Sequence, residues 1–280
     1  MKLYQNVDEL QLHLANQRSK KNKIGFVPTM GALHVGHLQL LKQALSENQE
    51  VVCSIYVNPT QFNNSTDLEK YPRNLESDLE MLRGIGVQTV FTPKHADMYP
   101  KKLEADHYEF NGLDIPMEGL HRPGHFAGVA TVVARFFELI MPDRAYFGDK
   151  DFQQLLIVRK MTALRKFDVE VIGCTTVRNE VGLALSSRNQ RLNEQQIKTA
   201  TVIFTSMQDV KGQVKAGDPL KLKEKAMQQI LEAGLEPEYV EIVDGKTLNP
   251  LLNFEEAKEA RIFVAAYLNG VRLIDNLLLF

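Results

Sequence analysis

Ile24-Gly25-Phe26-Val27-Pro28-Thr29-Met30-Gly31-Ala32-Leu33-His34-Val35-Gly36-His37-Leu38 is the stretch on which the reading of this chain turns. Ile24 to Val27 form a compact apolar run ended by Pro28, the pattern of a short buried strand. Beyond the next few residues, Leu38, Leu41 and Leu45 recur at helical spacing. A strand that gives way to a helix places the intervening turn at the carboxyl end of its sheet, where open α/β sheets bind ligands. Gly31 and Gly36 lack a Cβ, so ligand atoms can approach the backbone there. The helix start adds unpaired N–H groups and the positive end of a helix dipole, both suited to a phosphate.

The same alternation continues outward from this stretch. Val7 to Gln17 reads as an amphipathic helix, and Val51 to Val57 as a second strand stopped by Asn58-Pro59. Leu75, Leu79 and Leu82 mark a helix that ends near Gly84 and Gly86, and Val87 to Phe91 is a third strand. A helix over Gly128–Leu139, a strand at Ala145–Phe147, a helix over Phe152–Leu164 and a strand at Val169–Cys174 follow. Buried strands alternating with amphipathic helices predict a parallel sheet covered by helices on both faces.

After about Arg191 the texture changes. Polar-faced helices are expected over 194–210 and 219–233, then strands at Tyr239–Val243, Arg261–Leu268 and Val271–Leu278. Asn269-Gly270 reads as a two-residue hairpin turn, because that pair tolerates positive φ. Helices followed by an antiparallel sheet predict a smaller α+β C-terminal domain. The division expected from sequence is 1–183 and 184–280.

Composition excludes several classes. Of the 280 residues, 44% are hydrophobic and 24% charged, with a net charge of −2, so no nucleic-acid or membrane surface is indicated. The basic run Lys20-Lys21-Asn22-Lys23 reads as a solvated helix end. Cys53 and Cys174 sit inside apolar runs and read as buried, inert thiols. Asp8 and Glu9 interrupt the N-terminus, which lacks the apolar stretch of a signal peptide. No window approaches the roughly 20 apolar residues of a membrane span. A cytoplasmic protein is the expectation.

Four segments carry candidate chemistry. His34 and His37, three apart, share a face of the first helical turn and could donate to phosphate oxygens or protonate a departing pyrophosphate. Capping or core histidines are the plain alternative, and zinc would need a further ligand nearby. Phe147-Gly148-Asp149-Lys150-Asp151-Phe152-Gln153-Gln154 is another strand end feeding a helix, with Lys150 a point charge for phosphate and Asp151 an acceptor for ribose hydroxyls. Leu185-Ser186-Ser187-Arg188-Asn189 brings two hydroxyls and a guanidinium together, able to follow the charge of a departing pyrophosphate. Asn58 and Gln61, after the second strand, are neutral amides suited either to a small hydroxy acid or to capping their own loop.

The segments also occur together and in one order. Pro-Thr-Met-Gly-Ala-Leu-His-x-Gly-His, Val-Asn-Pro-x-Gln-Phe, Tyr-Pro-Arg, Phe-Gly-x-Lys-Asp-x-Gln-Gln and Leu-Ser-Ser-Arg-Asn resemble the pantothenate synthetase family from Ile24 through Asn189. The first of them is similar to the motif of nucleotidyltransferases and class I aminoacyl-tRNA synthetases, and so indicates adenylyl transfer only. The resemblance implies a Rossmann-like domain with a C-terminal lid, and a reaction in two steps. The pantoate carboxylate attacks the α-phosphate of ATP with Mg²⁺; the amine of β-alanine then displaces AMP from pantoyl-adenylate.

By the same resemblance, Met30, Gly31, Ala32, Leu33, His34, Val35, Gly36 and His37 line the ATP site, with His37 the proton donor. Gly148, Asp149, Lys150, Asp151, Val177, Leu185, Ser186, Ser187 and Arg188 also hold ATP. Lys150 and Arg188 stand with the two histidines as catalytic candidates. Gln61 and Gln154 hold pantoate, with Gln61 also near β-alanine, and Asn58 is a further substrate candidate. A homodimer is implied. Val35, Asp149 and Val181 depart from the family's usual residues without removing a phosphate-binding group. Asp78 is a candidate Mg²⁺ ligand by its proximity to Tyr71-Pro72-Arg73, and Arg122 and His125 stay open between ordering the site and meeting a second subunit.

Rival readings are a nucleotidyltransferase acting on a phosphorylated acceptor, a metal-dependent hydrolase built on the histidines, and a nucleotide sensor. The neutral Gln61 and Gln154 argue against the first, because a phosphorylated acceptor calls for added Arg or Lys. A sensor would not need both histidines and Lys150.

Overall fold

A computed structural model describes residues 1–62, 68–69, 71–99, 104–215 and 217–280. They form two compact units. The first comprises Met1–Asp114, Glu118–Gly148 and Gln154–Cys174; the second comprises Ile115–Met117, Asp149–Gln153 and Thr175–Phe280.

The sheet of the first unit has six strands: β1 (Lys2–Tyr4), β2 (Ile24–Thr29), β3 (Glu50–Ile55), β4 (Thr89–Phe91), β5 (Arg144–Gly148) and β6 (Glu170–Cys174). Their order is β1-β4-β3-β2-β5-β6 and every pairing is parallel. From β2 the chain builds outward through β3 and β4 on one side, then returns to place β5 on the other. The carboxyl ends of β2 and β5 are therefore the topological switch point, where such sheets open a crevice for ligands.

Alternation along β2 divides the core. Val27 joins Leu41 and Ala44 of helix α2 (Val35–Glu47) in one cluster. Its neighbour Phe26 points to the opposite face, with its ring 5.3 Å from Phe136 and 6.3 Å from Phe137. Those phenylalanines belong to helix α4 (His125–Ile140), which is buried on almost all sides, as its apolar sequence dictates. Helices α1 (Val7–Ser19) and α3 (Leu75–Gly84) precede it, and α5 (Phe152–Leu164) follows β5.

Two details depart from the sequence reading. β1 is an additional strand, only three residues long, at the sheet edge. Pro28 lies inside β2 instead of ending it. The Lys23 and Thr29 carbonyls face β3, accepting from Glu50 and Tyr56 N–H, so Pro28 faces the β5 side. Pairing with β5 covers Gly25 and Phe26 only, and no ladder bond is lost to the missing N–H. Both cysteines are buried and free, and burial pushes the Cys53 thiol up to about 12, which keeps it unreactive.

The second unit has helices α6 (Val202–Gln213) and α7 (Pro219–Glu232) packed on an antiparallel sheet of β7 (Glu236–Asp244), β8 (Ala260–Leu268) and β9 (Val271–Leu278). Val240 and Ile242 on β7, with Ile262, Val264 and Ala266 on β8, form the inward period-two face. Asp218 caps α7 by accepting from Leu220 and Lys221 N–H, and Pro219 pre-sets its first turn. Asn269 and Gly270 both have positive φ, 48° and 73°, as the β8–β9 hairpin requires. The helix expected over 194–210 is two, Glu194–Ala200 and Val202–Gln213. At the break, the Thr201 hydroxyl donates to the Lys198 carbonyl at 2.6 Å and competes with the helical ladder. Among the described residues, no helix is long and apolar enough to cross a membrane.

Candidate active site

β2 ends at Thr29, and residues 30–34 cross the switch point into α2. Gly31 has φ +78° and Ala32 φ +49°, a tight reversal that points successive N–H groups inward. They meet Asp78 of α3: its Oδ2 accepts from Ala32 N–H at 2.9 Å and its Oδ1 from Leu33 N–H at 2.7 Å. Asp78 is 2% exposed. Burial pushes its carboxyl above the ordinary range, and the two N–H bonds only partly counter this. A Cβ on Gly31 would lie 2.9 Å from Oδ2, so glycine is required for both its φ and its space. The sequence reading offered Asp78 as a Mg²⁺ ligand; in this structure its two oxygens accept backbone N–H groups of the loop.

His34 and His37 form a reciprocal cap on α2. His34 Nδ1 accepts from Gly36 N–H at 3.1 Å, and His37 Nδ1 accepts from His34 N–H at 3.3 Å. The rings tilt together with centroids 4.0 Å apart. With Nδ1 an acceptor in both, the neutral tautomer carries its proton on Nε2, so the donor of each ring is Nε2–H. The capping and phosphate-donor readings of this pair are thus compatible, since they use opposite nitrogens. Met30 is half-buried, Val35 is 63% exposed, and Gly36 is buried.

Beyond β3, Pro59–Gln61 make a 3₁₀ turn capped by Asn58. Asn58 is 1% exposed, and its amide is engaged by the protein. Its Oδ1 accepts from Tyr99 OH at 2.6 Å and Thr60 Oγ1 at 3.1 Å, while Nδ2 donates to the Gly128 carbonyl at 3.1 Å and Gln61 Oε1 at 3.3 Å. Asn58, a substrate candidate from sequence, thus donates to the side chain of Gln61, another of those candidates. Gln61 Nε2 contacts Met30 Sδ at 2.9 Å, which joins this turn to the β2 loop.

Arg122 and His125 complete the support. Arg122 Nη2 donates to the Gln61 carbonyl at 3.2 Å, and His125 Nδ1 lies 2.8 Å from the same oxygen, which makes it an N–H donor. Arg122 is held in turn by Glu118 at 3.3 Å. The Arg122 and His125 side chains therefore both contact the turn that carries Gln61. Gly128 lets α4 approach this turn: a Cβ there would stand 2.7 Å from Thr60 C and 2.9 Å from Gln61 N. Gln154, on α5, is half-buried.

In the second unit, Asp149–Asp151 form a 3₁₀ turn immediately after β5 in the chain. Lys150 Nζ lies 3.3 Å from Asp151 Oδ1 with its side chain 17% exposed. The carbonyls of Asp149 and Lys150 accept from Asn276 Nδ2 at 2.7 and 2.9 Å. Residues 177–185 fold back on themselves, Leu185 N–H donating to the Val177 carbonyl at 2.9 Å. Ser186 then caps a short 3₁₀ helix, Ser187–Arg191, by accepting from Arg188 N–H at 3.3 Å. Ser187 is buried, and Leu185, Ser186 and Arg188 are half-buried.

The Pantoate-beta-alanine ligase family model matches residues 2–278. The chain belongs to this family. The family's reaction is the ATP-dependent condensation of pantoate with β-alanine through an acyl-adenylate. Pantothenate synthetase of Cytophaga hutchinsonii is 42% identical over 98% of this chain and 98% of its own. That of Christiangramia forsetii is 45% identical over 94% and 93%. The crystal structure of pantothenate synthetase from Thermus thermophilus superposes with TM-score 0.92 at 41% identity, each chain covered completely. A Francisella tularensis ligase, crystallised with a β,γ-ATP compound and β-alanine, gives TM-score 0.82 at 35% identity, over 100% of this chain and 98% of that one.

Sequence reasoning missed Tyr99, which donates to Asn58, and Asn276, which donates to the carbonyls of Asp149 and Lys150. For Asp275-Asn276 a signal existed: two adjacent polar residues interrupt the run Leu273-Ile274 to Leu277-Leu278.

Proposed function

We propose that the chain makes pantothenate from pantoate, ATP and β-alanine with the following division of labour. A pantoate carboxylate oxygen attacks the α-phosphorus of ATP, the bond to pyrophosphate breaks, and the mixed anhydride forms. Nε2–H of His37 donates a hydrogen bond to the departing pyrophosphate, and Nε2–H of His34 contacts phosphate. The backbone of Met30–His37 receives the nucleotide at the switch point, together with Gly148. Asp149, Lys150, Asp151, Val177 and Leu185–Arg188 also hold ATP, Lys150 and Arg188 supplying positive charge where negative charge develops. In the second step the β-alanine amine attacks the acyl carbon, AMP departs with the bonding pair, and the amine loses a proton.

Gln61 and Gln154 hold pantoate through neutral amides, and Gln61 is placed near β-alanine. Mg²⁺ enters bound to ATP. Among the described residues, no group of three His, Cys, Asp or Glu side chains comes together to hold a metal, which suits an ion carried mainly by phosphates. Residues from 184 onward act as a lid that excludes water from the anhydride. The active species is a cytoplasmic homodimer.

The observation that carries this reading is the reciprocal His34–His37 cap, which commits both Nδ1 atoms to the backbone and so places the proton of each neutral ring on Nε2. Isotope exchange between ATP and pyrophosphate tests it. Exchange is expected with pantoate and without β-alanine. Exchange that needs no pantoate, or none in its presence, refutes the first half-reaction.

A further inference from the structure

We infer that Asp275 and Asn276, adjacent on β9, are positioning residues for the nucleotide chemistry: Asn276 fixes the backbone that carries Lys150, and Asp275 fixes the fold-back that leads to Ser186–Arg188. The inference rests on the nucleotide roles proposed for Lys150 and Arg188. All the residues involved belong to the second unit.

Both side chains are buried, Asp275 at 4% and Asn276 at 3%, in a strand whose other inward residues are apolar. Buried polar groups persist where their hydrogen bonds are met, so their partners reveal their work. Asn276 Nδ2 gives its two hydrogens to the carbonyls of Asp149 and Lys150, at 2.7 and 2.9 Å. Its Oδ1 accepts from Arg261 Nη1 at 2.8 Å, which fixes the amide's orientation. The Arg261 guanidinium lies 3.6 Å from the ring centroid of Phe152, two residues beyond Lys150. The lysine-bearing turn is thus gripped at two carbonyls and, through Arg261, at one ring.

Asp275 works on the other segment. Both its oxygens accept from Arg178, with Nη2 to Oδ1 at 2.9 Å and Nη1 to Oδ2. Arg178 also donates to the Gly182 carbonyl at 3.1 Å and lies 3.8 Å from the ring centroid of Phe204. Arg178 and Ala184 pair as an isolated antiparallel bridge, two residues before Ser186. Successive strand residues point to opposite sides, so one dipeptide reaches two separate segments and sets their spacing. A lysine has a long flexible stem, and its useful position depends on where the main chain starts it. Misplacing a reacting group by about 1 Å can cost on the order of 100-fold in rate.

The test is a double-mutant cycle in the full chain, pairing Asn276→Asp with Lys150→Ala, read by pantoate-dependent ATP–pyrophosphate exchange. Asn276→Asp keeps the shape and the Arg261 acceptor but turns an oxygen toward two carbonyls. Exchange is expected to fall roughly 10- to 100-fold, with KM for ATP raised and KM for pantoate within about twofold of the parent. In the Lys150→Ala background the same change should have almost no further effect, because the residue acts through the lysine. An equal loss in that background, or KM values for ATP and pantoate rising together, overturns the inference in favour of a general structural role. Lys150→Ala with undiminished exchange would instead overturn the nucleotide role of Lys150 itself. Should thermal melts show that Asn276→Asp does not fold, Asn276→Ser replaces it in the cycle. Asp275→Asn with Arg188→Ala gives the parallel cycle for the second segment, with the same outcomes.

Discussion

Replacing Asp78 by asparagine removes one acceptor from beneath the β2 loop with almost no change of shape. The carboxylate serves Ala32 N–H and Leu33 N–H, one on each oxygen. Asparagine offers a single oxygen and sets an amino group against the other N–H. A hydrogen bond to a charged group contributes about 1.5–3 kcal/mol, and a buried N–H left unmet costs about 1–3 kcal/mol. The offset is that a neutral amide is cheaper to bury than a carboxylate, and burial already holds the Asp78 pKa above its ordinary value. Each unit of such a shift corresponds to about 1.4 kcal/mol. The net expectation is a destabilisation of about 1–3 kcal/mol. The kinetic effect should exceed what stability alone predicts, because the freed loop carries His34 and leads to His37. Displacement by about 1 Å can cost up to ~100-fold. Urea denaturation and pantoate-dependent exchange, each with Mg²⁺ titrated, measure the two effects. The half-saturating Mg²⁺ concentration should not change. A variant as stable and as fast as the parent refutes the argument, and so does a loss fully recovered by excess Mg²⁺, which would make Asp78 a metal ligand.

Gly128→Ala should destabilise by about 1–2 kcal/mol, since overpacking against Thr60 and Gln61 (about 1–3 kcal/mol) exceeds the helix-propensity gain of about 1 kcal/mol; it should also raise KM for pantoate, and a thermal melt unchanged or improved would contradict the close contact. Arg122→Ala removes a donor to the Gln61 carbonyl and is expected to raise KM for pantoate several-fold while leaving KM for ATP unchanged; equal effects on both substrates would show only general loosening. Asp143 yields a pH prediction. Burial raises its carboxyl, but Ile24 N–H at 2.8 Å and Lys23 at 2.6 Å outweigh that and hold it below the ordinary value. Such a group adds stability that is complete above its unfolded pKa, about 3.9, and is lost as pH falls through the folded value. Asp143→Asn should therefore lower the urea midpoint near neutrality and flatten its acid limb below about pH 4; an equal loss at every pH would count against it.

How far the letters alone reach differs from one part of the molecule to another. The alternation of apolar runs with helical leucines located the parallel sheet, and β2 to α2 named the decisive loop, because these are local periodicities that burial enforces residue by residue. Pro28 misled, since proline's cost in a strand depends on which neighbour its missing N–H would have faced, and that is a property of the sheet. His34 and His37 were legible as a pair, but the nitrogen that each commits to the backbone follows from the dihedral angles of the cap.

Sequence by itself determined the fold class, the order of the motifs and the identity of the groups that bear charge. The tertiary structure decided what holds those groups in place. Asp78 reaches Ala32 from 46 residues away, and Arg122 reaches Gln61 from 61 away. Asn276 reaches Lys150 from 126 away. The physical reason is that a helix or strand is written in repeats a few residues long, whereas a buried carboxylate or amide is satisfied by whichever backbone groups folding brings beside it. Such partners leave in the sequence only a polar residue where an apolar one was due.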